Sequence, residues 1–232
     1  MTHFKSFREK LLAKGGFEPL KVEKVTERSD RDALVYLFDT LHGAGGDGLV
    51  HWRKNFNWDS DVPVHKWYGI ECEAGHVASI DLVDNRLEGT LDIDLAYRLR
   101  PLINLKILRI SQNRVNGYIN FISYFPNIVE LNISWNHFHG VIPDILYTLI
   151  QLKILRLDNN KLCGSVKSDI KNLINLSLLD ISNNQLSGIF PVEELSTLSN
   201  LYLINLMGNK FENEIPRDMG DITRNQFVTS DN

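Results

Sequence analysis

Large apolar residues in the segment LKILRLDNNKLCGSV fall at Leu152, Leu155 and Leu157, give way to a polar Asn160, resume at Leu162 and stop at Gly164. A helical period does not place an amide there, and a simple alternating strand has turned before that point. The pattern is not confined to this segment. It returns as VASIDLVDNRLEGTL from Val77, LKILRISQNRVNGYI from Leu105, IVELNISWNHFHGVI from Ile128, LSLLDISNNQLSGIF from Leu176 and LYLINLMGNKFENEI from Leu201. Starts at 105, 128, 152, 176 and 201 are 23, 24, 24 and 25 residues apart, and only the step from 77 is longer, at 28. A fixed period near two dozen marks a repeat architecture.

One such unit cannot bury its own apolar face, so units stack and share a core. The stretch around Leu155 and Leu157 is predicted to be a short strand with alternate side chains inward. The turn after it leaves backbone groups that water cannot reach, and an unpaired buried group is costly. An amide offers two donors and an acceptor, enough to bridge backbone on both sides. Asn85, Asn113, Asn136, Asn160, Asn184 and Asn209 are therefore predicted to form one structural column.

These phased copies resemble the leucine-rich repeat, specifically the plant-type form ending in Gly-x-Ile-Pro. That ending stands at Gly140-Val141-Ile142-Pro143 and, altered, at Gly188-Ile189-Phe190-Pro191; the last copy keeps Ile215-Pro216 but has Asn213 in place of the glycine. The resemblance covers residues 77–216. It implies an α/β-type solenoid, a right-handed superhelix with short parallel strands on a concave face and a helical N-terminal cap.

Residues 29–76 are assigned to that cap. Ser29 followed by Asp32 makes a capping-box-like start, Leu34, Leu37, Phe38 and Leu41 recur at helical spacing, and Gly43 ends the run. Trp52, Trp58 and Trp67 follow, a spacing similar to the cap of plant-type repeats, and are expected to cover the first repeat. Secreted members of the family carry Cys-x-Trp-x-Gly-x-x-Cys here; this chain has His65-Lys66-Trp67-Tyr68-Gly69-Ile70-Glu71-Cys72, so the first cysteine is missing. The other cysteine, Cys163, is far away. Two isolated thiols, and a first segment (1–28) without an apolar run fit for a signal core, point to a reducing, cytoplasmic compartment. The sequons Asn132-Ile133-Ser134 and Asn175-Leu176-Ser177 point the other way, but they fall on repeat consensus positions. Segment 1–28, with seven Lys or Arg against four Glu, is read as a basic tail in which Phe4–Lys14 has helical spacing.

Composition then narrows the function. With 232 residues, 43% hydrophobic, 23% charged and a net charge of −4, the chain is ordinary for a folded domain and gives no electrostatic footprint for nucleic acid. No run of ~18 apolar residues is present to span a bilayer. Phosphate-binding glycine loops, zinc-protease helices and Gly-x-Ser-x-Gly turns are absent from the sequence. The run Gly43–Gly48 lacks a Lys-Ser/Thr ending, and His65, Cys72 and His76 do not have a familiar zinc spacing. No cofactor, metal or catalytic group is assigned.

Binding surfaces remain. The position between the strand leucines holds Asp81, Arg109, Asn132, Arg156, Asp180 and Asn205, mixed charges that suit cross-strand pairs, Asp81 with Arg109 and Arg156 with Asp180. A second row, Asp84, Gln112, Trp135, Asn159, Asn183 and Gly208, contains one large ring. Trp135 is the expected centre of a partner site, with Arg109, Arg156, Asn132, Glu130 and Asn159 around it and Asp158 nearby. The expected function is a non-catalytic module for recognition, scaffolding or signalling that captures a protein or peptide on its concave face. The alternative is a receptor ectodomain or secreted enzyme inhibitor of the same family. At the carboxyl end, 217–232 is too short for a thick cap. Phe227 and Val228 are expected either to cover the last repeat or to leave an edge for self-association.

Overall fold

In the computed structural model, described for residues 27–41, 52–58, 60–91, 97–213 and 227–228, two parallel sheets run the length of a stack. Helix α1 (Glu27–Leu41) and the hairpin strand β1 (Ile70–Glu73) open it. Each repeat then gives one strand to each sheet: β2 (His76–Asp81) and β3 (Glu88–Leu91), β4 (Ile107–Arg109) and β5 (Arg114–Gly117), β6 (Glu130–Asn132) and β7 (His137–Val141). The series continues with β8 (Ile154–Arg156) and β9 (Lys161–Gly164), β10 (Leu178–Asp180) and β11 (Gln185–Gly188), then a short helix α2 (Val192–Ser196), β12 (Leu203–Asn205) and β13 (Lys210–Phe211). A final strand, β14 (Phe227–Val228), lies beside β12.

The first sheet has the order β1-β2-β4-β6-β8-β10-β12-β14, antiparallel only at β1. Its repeats align without stagger, so Leu108 faces Leu131 and Leu131 faces Leu155. The second sheet, β3 to β13, is offset by two residues per strand: Lys161 lies opposite His139, not opposite its repeat equivalent His137. Between the sheets the leucines and phenylalanines form one continuous core from Leu34 to Phe211. Stacking neighbours, not any single repeat, dries this core.

The asparagine column supplies the polar complement. Asn160 Nδ2 donates to the carbonyls of Ile133, Leu157 and Asp158, while its Oδ1 accepts the Phe138 N–H at 2.9 Å. Asn113, Asn136 and Asn184 repeat this bridge, and Asn209 makes most of it while half-buried. Asn85 has no repeat before it; it holds the cap loop through Lys54 N–H and C=O. Asn213, at the lost glycine, closes the last turn on the backbone of Phe190.

The cap differs from expectation at its start. Helix α1 begins at Glu27, so Ser29 lies inside it and not at its cap. Asp30 is the reason its first turn is anchored: this buried carboxylate accepts the Val77 N–H at 2.8 Å, tying the helix to β2. Trp52, Trp58 and Trp67 are buried around Phe38, and each indole N–H reaches a backbone carbonyl (Leu41, Tyr68 and Val62). Gly69 (φ +77) lets the hairpin close on Asp81, whose carbonyl a Cβ there would meet at 2.2 Å. Both cysteines are free thiols. The helical spacing at Phe4–Lys14, the glycine run 43–48 and most of 217–232 lie outside the described residues.

Candidate functional site

The turn that follows each first-sheet strand is built on a residue with left-handed backbone. Asp84, Gln112, Trp135, Asn159 and Asn183 have φ between +48 and +58, and Gly208 has +67. Glycine and short amides or carboxylates tolerate this conformation; a bulky side chain does so at a cost. Trp135 is the exception in the row. Its backbone is tied on both sides, donating to Asp158 C=O at 2.9 Å and accepting from Asn113 N–H at 3.1 Å, and its ring is 57% exposed. A strained backbone held by its neighbours under an exposed ring is the kind of outlier that points to function. The signal was present in the sequence as the one residue in the row that does not suit a left-handed turn.

The ladder beside it is partly self-satisfied. Arg109 makes a bidentate contact with Glu130 (2.6 and 2.7 Å) and reaches Asp81 at 3.2 Å, and the hydrogen bond to Glu130 raises its pKa still further. Arg109 is therefore neutralised within the molecule and is not a spare cation beside Trp135. Asn132 is also committed: its Oδ1 accepts the Ser134 N–H and hydroxyl. Asp180 does the same for Ser182, so this row caps the strand ends as well as facing solvent. Arg156 lies in register with Asp180 and Asn132, yet among the described residues it makes no ion pair, and it is exposed. Asn159 Nδ2 donates to Asp158 at 2.8 Å.

Asp158 was expected only as a rim charge. It stands where neighbouring repeats have Ser111, Ser134 and Ser182, and it is buried. Burial is the main cause that pushes its carboxyl pKa up, and Asp180 adds to it. Trp135 and Arg156 thus form the available part of the predicted set, with Asp158 beneath them in the sheet. A separate open cleft of about 510 Å³, lined by Arg53, Asp84, Arg86, Glu88, Gln112, Asn113 and Arg114, lies at the junction of cap and repeats. Among the described residues no group of His, Cys, Asp or Glu is arranged to hold a metal, and no helix is long and apolar enough to cross a membrane.

Strands stacked one per repeat, a second parallel sheet and an asparagine column between them define a repeat solenoid. The chain is a plant-type leucine-rich repeat protein. The Leucine Rich Repeat family model matches residues 127–149, 151–173 and 175–194. Pollen receptor-like kinase 4 of Arabidopsis thaliana is 29% identical over 199 residues, covering 62% of this chain and 27% of the relative. Among solved structures, the leucine-rich repeat ectodomain of the receptor kinase SOBIR1 from Arabidopsis thaliana is 26% identical with a TM-score of 0.61, covering 81% of this chain and 97% of that one. The BIR3–SERK2 complex from the same plant gives 26% identity and a TM-score of 0.63, over 80% and 96%. The chain spans only 12–27% of the length of the first curated relatives it matches. The expectation of a cytoplasmic compartment finds no support in these relatives, which are receptor-like kinases and an ectodomain by name.

Proposed function

We propose that this chain is a non-catalytic recognition module that captures a protein or peptide on its first sheet, centred on Trp135. The observation that carries it is Trp135 itself, an exposed ring on a left-handed turn that its fold does not require. Arg156 supplies the free charge at its side. Glu130 and Arg109 form a fixed polar rim, and Asn132 and Asn159 hold the turn geometry beneath. The similarity to the structure of a complex between two proteins, BIR3 and SERK2, supports protein binding as the use of this surface. We further propose that the module works outside the cell as part of a receptor, in line with the ectodomain likeness. Glycan mass on Asn175 in protein from its source is the expected sign of that location, and its absence counts against it.

The test of the site is a pair of variants measured against the strongest partner isolated by affinity capture. Trp135→Ala is expected to cost at least ~2 kcal/mol of binding by calorimetry, the usual hot-spot threshold. Trp135→Asn, which suits the left-handed turn, is expected to lose the same affinity while its unfolding midpoint stays level or rises. Unchanged binding in both variants, with loss on substituting the second sheet, overturns the assignment.

A further inference from the structure

The residue after each structural asparagine forms a row of its own: Arg86, Arg114, His137, Lys161, Gln185 and Lys210. From Arg114 on, each is the first residue of its second-sheet strand, and all six are exposed while the residue that follows is buried. The row therefore points outward. Four of its members are Arg or Lys and a fifth is His, in a chain whose net charge is −4.

On the first sheet Arg109 is set between Asp81 and Glu130. On the second sheet the row meets few acids. Opposite Arg114, His137, Lys161, Gln185 and Lys210 stand Glu88, Asn116, His139, Cys163 and Ser187, a single carboxylate among five. That carboxylate, Glu88, approaches Arg114 only to 3.8 Å, and among the described residues Arg86, Lys161 and Lys210 make no ion pair. With strands about 4.8 Å apart and a stagger of two residues, successive members of the row are spaced about 8 Å.

An aromatic platform sits in the same face. Register carries Tyr118 beside His139 and His139 beside Lys161. The Tyr118 ring is 57% exposed, lies 4.7 Å from the His139 ring, and covers Gly140, where a Cβ would strike it at 2.6 Å. The glycine thus leaves room for one edge of the ring over the backbone, while the ring stays exposed.

We propose that the outer face of the second sheet binds a linear acidic polysaccharide. Cations that recur along one outward row match a polymer whose anions recur along its length, and an exposed ring offers one sugar ring a stacking surface. Binding by such a row releases counterions and so weakens steeply with salt.

The experiment uses the full chain and two immobilised glycans, alginate for carboxylates and heparin for sulfates, with polyglutamate and single-stranded DNA at matched charge. Retention on at least one glycan at low salt, stronger than on polyglutamate or DNA, is the expected result; which glycan retains it identifies the anion. The triple variant Arg114→Gln, Lys161→Gln, Lys210→Gln is expected to lose about tenfold or more in affinity and to show a shallower salt dependence. Tyr118→Ala is expected to lower affinity for the glycan without changing the salt slope, and Trp135→Ala to leave it unaltered. Thermal melting checks that all variants fold. No retention on either glycan, equal retention on polyglutamate or DNA, or a triple variant that binds like wild type overturns the proposal.

Discussion

Asn160 and Asp158 sit two residues apart in one turn and have opposite effects on the fold. The Asn160 amide satisfies carbonyls from two repeats and one N–H, so Asn160→Leu leaves these groups dry and unpaired. A loss of roughly 1–3 kcal/mol in denaturant melts is expected. Asp158 is a carboxylate in a column of buried serines, and burial raises its pKa above the ordinary value of 3.8. Between the unfolded and folded values the folded chain binds more protons, so stability falls as pH rises through that window. The penalty is full above the folded pKa and absent below the unfolded one. Asp158→Asn, which keeps an oxygen for Asn159, is therefore expected to stabilise the protein at pH 7. Its melts should converge with wild type in acid. A stability gain that persists unchanged at low pH would rule out ionisation as the cause.

Strand β14 is an element that apolar patterning located and only pairing could define. Phe227 and Val228 were expected to cover the last repeat or leave an edge open. They pair with β12, Ile204 opposite Phe227 and Asn205 opposite Val228, and so extend the first sheet by one strand. Removing residues 227–232 takes away these backbone hydrogen bonds and bares the edge of β12. A loss of roughly 1–3 kcal/mol is expected, and sedimentation should show association that grows with concentration. A truncated chain that stays monomeric and equally stable would mean that β14 contributes nothing to the end of the stack.

Stacking sets the behaviour of the whole molecule. Each repeat touches only its neighbours, so interior repeats have a full repeat on either side, whereas β12 has on its outer side the two-residue strand β14. Amide hydrogen exchange is expected to be slowest in β6, β8 and β10 and faster in β12 and β13, with the cap protected separately by Trp52, Trp58 and Trp67. Uniform protection from cap to β13 would argue for all-or-none opening. Charge is also a property at this scale, because the first sheet engages Arg109 between two carboxylates and the second presents a basic row that faces a single acid, Glu88.

Sequence alone carried the period, the column of asparagines, the buried leucines and the tryptophan cap, because each follows from what a repeating backbone must bury and satisfy. It also singled out Trp135 as the large ring in a row of small or polar residues. What it could not supply were relations across the stack. The Arg109–Glu130 fork depends on strand register, and so does the difference between an engaged Arg109 and a free Arg156. The first turn of helix α1 is held through Asp30 by Val77, a partner 47 residues away. The left-handed backbone at Trp135 arises from turns that neighbouring repeats hold in place. The basic row becomes a surface only when a two-residue stagger sets its members opposite a single acid, Glu88. Burial and hydrogen-bond need are written locally into each repeat, whereas register and pairing exist only between repeats, and those the tertiary structure decided.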